Sequence, residues 1–158
     1  MSNKEEKTIE IYKVNLKSDK QQKANLLEEL KLLEDDLKKI NDGIKKNTES
    51  LGEIIDIERY LRSAVNNMEE AITDVNGYFQ GNLADSVINE YGHTKAEITE
   101  LYNSFVKQYG NVDIEVEELK AKKKVIEQKI EDIKAKIAKL NNNIVINNEA
   151  LGKLQKKK

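Results

Sequence analysis

The chain reads as an all-α protein, a long antiparallel helical hairpin of the coiled-coil kind. Three observations predict it. There is no proline among 158 residues, and an interior proline costs a helix roughly 3 kcal/mol. Apolar residues recur in alternating steps of four and three over most of the length, which places them along one seam of a helix. A glycine-containing break, Phe79-Gln80-Gly81, then separates one such stripe from the next. Only 38% of the residues are hydrophobic and 35% are charged, so the core is slender rather than thick.

Ile9, Tyr12 and Leu16 open the seam, but Asp19 and Lys23 then occupy seam positions. Ser18 followed by Gln21 has the form of a capping box. The expectation is a kink or break near Ser18 and a first helix over about residues 19–76, a start at residue 8 being the alternative. From Leu26 the stripe is strict through Leu30, Leu33, Leu37, Ile40 and Ile44. Asn47 puts an amide into it, Leu51, Ile54, Ile57 and Leu61 carry it on with a shifted phase, and Val65, Met68, Ile72, Val75 and Phe79 restore the rhythm.

The turn falls at about residues 77–82 and the second helix at about 83–155. Leu83, Val87, Tyr91, Ile98 and Tyr102 begin its stripe, which is strict at Phe105, Tyr109, Val112, Val116 and Leu119. It skips Lys123 and resumes from Ile126 through Ile130, Ile133, Ile137, Leu140 and Ile144 to Leu151 and Leu154. A spacing averaging 3.5 residues per turn favours a left-handed supercoil. The whole reads as a single elongated domain.

Two stretches resemble each other, Ile44-x-x-Asn47-x-Glu49-x-Leu51-Gly52 and Ile144-x-x-Asn147-x-Glu149-x-Leu151-Gly152. An asparagine in a coiled-coil seam can fix register at some cost in stability. In a hairpin folded at Gly81, Asn47 faces about residue 115, so the two asparagines do not meet within one chain. They are register devices for separate places, or a coincidence.

Aromatic residues gather in the half near the bend, where a candidate partner interface comprises Tyr60, Met68, Tyr78, Tyr91, Tyr102, Phe105 and Tyr109. Large side chains with polar tips anchor helix-to-helix interfaces. The competing reading is that they fill a wider core where the hairpin splays.

Nothing here points to chemistry. The single histidine, His93, has no metal spacing around it and no nucleophile beside it. The seven glycines are scattered and there is no cysteine, so neither a phosphate loop nor a thiolate site can be assembled. The expectation is a non-enzyme with no cofactor or metal. The 27 basic and 29 acidic residues interleave along the chain. Glu118, Glu127, Glu131 and Asp132 dilute the lysines of residues 120–139 and the terminal Lys156-Lys157-Lys158, which argues against nucleic acid. No stretch has the length of a membrane span or the apolar run of a cleaved leader.

With helix, turn and helix in place, Phe79-Gln80-Gly81-Asn82-Leu83-Ala84 resembles the turn of the WXG superfamily, which carries Trp-x-Gly between two antiparallel helices. Phe79 stands in for the Trp and Gly81 keeps the Gly. By this resemblance the aromatic packs where the helices part, the glycine permits the reversal, and Ala84 lets the second helix approach closely. The length is more similar to the long helical proteins that accompany LXG-domain toxins. The resemblance implies a cytoplasmic partner of type VII secretion, itself exported without a cleaved leader or left behind. It would bind the helical N-terminal domain of an LXG-type toxin, a small WXG-like protein, or a second copy of itself, within a multi-helix bundle. Tyr109-Gly110-Asn111-Val112-Asp113 also matches the superfamily's Tyr-x-x-x-Asp/Glu export pattern, though it lies inside the second stripe rather than after it. The alternative is a structural coiled-coil scaffold or spacer with a passive bend.

Overall fold

A computed structural model describes residues 3–156. Met1, Ser2, Lys157 and Lys158 lie outside it, and with them part of the basic C-terminal run. Two α-helices, α1 (Asn3–Tyr78) and α2 (Asn82–Gln155), pack against each other as a hairpin, with no strand among the described residues.

The break expected near Ser18 is absent, and α1 runs through it. Ser18 Oγ accepts a hydrogen bond from Gln22 Nε2 at 3.4 Å, and Gln21 Nε2 donates to Asn25 Oδ1 at 3.0 Å. Both residues of the supposed capping box therefore bond one turn ahead on a continuing helix, which has no orphan N–H groups for a cap to serve. The polar seam residue that suggested a break is matched instead. Asp19 is half-buried and accepts a hydrogen bond from Asn147 Nδ2 on α2 at 3.3 Å.

The packing forms two compact units. The terminal unit consists of Met1–Asn41 with Ala121–Lys158, and the bend unit of Asp42–Lys120. In the terminal unit Ile9, Ile130, Ile133, Leu140 and Leu151 are buried, and Leu26, Leu30, Leu33 and Leu37 form a half-buried stripe on α1. In the bend unit the buried residues are Ala84 and Val116. A side chain placed on Gly43 would meet Leu119 Cδ1 at 3.3 Å, so glycine there lets the helices close up.

Two stretches of the bend unit run one residue out of the expected phase. Glu58 is half-buried and Ile57 exposed; Ala84 is buried and Ile88 half-buried, while Leu83 and Val87 are exposed. The phase is set by the neighbouring turns, not by the most apolar residue available. A small side chain at residue 84 suits the closest approach just after the reversal.

The reversal itself occupies only residues 79–81. Phe79 N–H still donates to the Val75 carbonyl at 2.9 Å, and the Gly81 carbonyl accepts from Asp85 N–H at 3.1 Å as α2 begins. Gly81 has a φ of 109°, a region that L side chains rarely adopt. Asp85 lies in the first turn of α2, where a carboxylate is favoured by the helix dipole.

Each of the two repeated asparagines crosses the seam within its own unit. Asn47 Nδ2 donates to Glu115 Oε2 at 3.3 Å in the bend unit, as Asn147 does to Asp19 in the terminal unit. The likeness of the two segments thus coincides with a likeness of role, an amide meeting a carboxylate on the opposite helix.

Candidate protein-interaction site

The candidate interface divides in two. Met68, Tyr91, Tyr102, Phe105 and Tyr109 are half-buried between α1 and α2, so they hold the bend unit together. Tyr60 is 76% exposed and Tyr78 83% exposed. With them stand Phe79 at 65% and Leu83 at 82%, so the tip of the hairpin is apolar and uncovered.

Phe79 therefore does not pack into the gap between the helices, as the Trp-like reading expects. α1 ends at Tyr78, and Phe79 leaves the helical phase that would have turned it inward. Phe79→Ala is accordingly expected to change stability by less than about 0.5 kcal/mol, checked by thermal unfolding of the two proteins side by side. Of the export pattern, Tyr109 is half-buried in the seam and Asp113 exposed, both within α2.

One flank of the bend unit is polar and tied across the helices. Tyr102 donates its hydroxyl to Glu58 Oε1 at 3.1 Å, and Arg62 Nη2 donates to Glu58 Oε1 at 3.0 Å and to the Tyr102 hydroxyl at 3.4 Å. Two turns towards the bend, Lys95 of α2 pairs with Glu69 of α1. Its ammonium stands 5.9 Å from the Tyr91 ring centre, within reach of a cation–π attraction. The buried Tyr91 hydroxyl makes no hydrogen bond of good geometry. An open groove of about 160 Å³ lies beside this network, lined by Leu61, Val65, Asn66 and Ile98 among others.

The Lys95 hydrogen bond and charge hold the Glu69 carboxyl below the usual range, and Glu69 raises Lys95 in return. A lowered carboxyl favours the fold above its unfolded pKa, and that contribution is lost as pH falls through the folded value. A raised lysine contributes below its unfolded pKa and loses that as pH rises through its folded one. The pair thus contributes between the carboxylate and lysine ranges. Glu69→Gln should flatten the acid side of the stability profile slightly, the pair being solvent-exposed. Unfolding titrations of both proteins between neutral and acid pH check this.

Charge is unevenly divided between the two units, although its signs interleave locally. The bend unit carries 16 acidic and 7 basic residues, the terminal unit 13 acidic and 20 basic. The basic segments lie at the two ends of the sequence, which the hairpin folds together, and the acidic ones lie in its middle. Counting charges over the middle of the chain and over its two ends separately finds it.

Among the described residues no group of three or more His, Asp or Glu is gathered as a metal site requires, and no helix is long and apolar enough to cross a membrane. His93 is exposed. Compared with protein-family models, curated proteins and solved structures, the chain matches none.

Proposed function

We propose that the chain is a non-enzymatic partner protein that binds a second helical protein through its bend unit. The partner is the helical N-terminal domain of an LXG-type toxin, and binding in the cytoplasm aids its export by type VII secretion. The observation that carries this reading is the uncovered apolar tip, Tyr78, Phe79 and Leu83, with Tyr60 further along α1. Large apolar side chains grouped at a surface are the usual mark of an interaction site. Gly81 with its positive φ and the buried Ala84 add the features of a Trp-x-Gly-like turn, while the exposed Phe79 moves the aromatic from the hairpin's interior to its contact surface.

A structural coiled coil is the second reading, favoured by the terminal unit, whose buried isoleucines and leucines need no partner. The two separate on co-expression with the helical N-terminal domain of an LXG-type toxin. The proposed function predicts a stable complex in size-exclusion chromatography, lost when Tyr78, Phe79 and Leu83 are all changed to serine. Separate elution of the unmodified proteins would leave the structural reading.

A further inference from the structure

The two flanks of the bend unit differ in kind. Residues that directly precede every second seam residue, namely Glu58, Val65 and Ile72 on α1 and Ile88, Lys95 and Tyr102 on α2, line the flank opposite the polar network. On α1 these are Ile57, Ala64 and Ala71, with Tyr78 seven residues further at the helix end, and on α2 Val87, Thr94 and Leu101. In an antiparallel pair the two rows lie side by side, and neither holds a charge over residues 57–78 and 87–101, the α2 row reaching its first charge at Glu115. The same rows in the terminal unit contain Glu29 and Asp36 on α1, Lys122, Lys129 and Lys136 on α2, the charged border expected of a two-stranded coiled coil. The small Ala64, Ala71 and Thr94 lie between larger side chains, which shapes a furrow between the helices. From Ile57 to Tyr78 it runs about 32 Å, or six turns.

The next row outward borders this furrow. Beside the furrow its charged members are Asp74 on α1 and Glu90 and Glu97 on α2, all exposed and all acidic, with Glu53 and then Lys46 continuing the α1 row beyond the furrow's end. We propose that this furrow receives one amphipathic helix of a partner protein, its apolar stripe bordered by lysine or arginine. Basic borders would lie against the acidic rims, and the stripe would cover the uncharged rows. A second copy fits poorly. Face to face, it would set acidic rim against acidic rim, and its basic terminal unit has charges in the rows that would have to supply the stripe. The inference rests on the partner reading above for its premise that the occupant is a helix, and adds which face it takes and what charge it carries.

The test uses two designed peptides of about 24 residues, enough for six or seven turns. Both have the same leucine and isoleucine stripe, bordered by lysine in one and by glutamate in the other. Binding to the full chain is followed by fluorescence anisotropy. The lysine peptide should bind, more weakly as salt rises, and the glutamate peptide at least about tenfold less well. Ala71→Arg, an exposed site in the furrow, should weaken the lysine peptide by about tenfold or more, while Ser63→Arg on the far face of α1 should leave it unchanged. Circular dichroism verifies that both variants keep their helix content. Equal binding of the two peptides, binding of neither, or indifference to Ala71→Arg would overturn the proposal. So would a dimer of the free chain in sedimentation that Ala71→Arg makes monomeric. Should the toxin domain fail to co-purify while the lysine peptide binds as described, the partner's identity is wrong and the furrow stands. A toxin complex that survives Ala71→Arg condemns the furrow and leaves the function.

Discussion

Ile133→Ala is expected to destabilise the terminal unit by about 2–5 kcal/mol, the range for emptying a buried isoleucine site. Ile133 is 4% exposed and Ile130, one turn earlier, 5%. In a two-helix core few residues reach such burial, and each that does holds the helices together along a whole turn. There is no second layer to collapse into the space a truncated side chain leaves, so the cost should fall in the upper part of that range. Val125→Ala provides the contrast: this residue of the same helix is exposed, and its loss should be felt by no more than about 0.5 kcal/mol. Urea unfolding of the three proteins followed by circular dichroism separates them. A small effect at Ile133 would mean that the seam of the terminal unit is not the one described.

Ser18→Pro should be as costly, about 3 kcal/mol or more. Ser18 lies within α1, fifteen residues after its first residue Asn3. A proline here removes the bond to the carbonyl four residues back and sets its ring against that carbonyl. Were the chain broken at this point, with Ser18 as a cap, a proline close to the new helix start would be tolerated far better. Ser18→Ala makes the same distinction by sign. In a continuing helix alanine is the better helix former and gains a few tenths of a kcal/mol; as the loss of a cap it would cost about 1 kcal/mol. The structure requires a loss with proline and a slight gain with alanine, read as shifts in the unfolding midpoint.

Most of the fold was legible because the four-three rhythm is strict where the helices pack in a single phase, from Leu26 to Ile44 and from Phe105 onward. It misled where an apolar residue adjoins a seam position held by something else. At Ile57 the seam belongs to Glu58, which Tyr102 and Arg62 make tolerable there. At Leu83 it belongs to Ala84, whose small size is its qualification. At Ser18 a polar pair imitated a cap, because local pattern cannot register that Asn147, 128 residues away from Asp19, satisfies the polar seam.

The candidate site was legible in part. The gathering of aromatics marked the right half of the hairpin, yet five of the seven candidate positions are half-buried in its seam and only Tyr60 and Tyr78 stand out to solvent. The uncharged furrow escaped notice because Ala64, Ala71 and Thr94 are not conspicuously apolar. Their signal is the absence of charge, at intervals of seven, in the positions just before every second seam residue.

The most direct test of the account is hydrogen–deuterium exchange on the chain with and without the LXG-type domain. Slowed exchange confined to residues 57–78 and 83–101 is the predicted result, with the terminal unit unchanged. Protection concentrated in residues 9–41 and 121–154, or none anywhere, would contradict the claim that the bend unit is the binding surface.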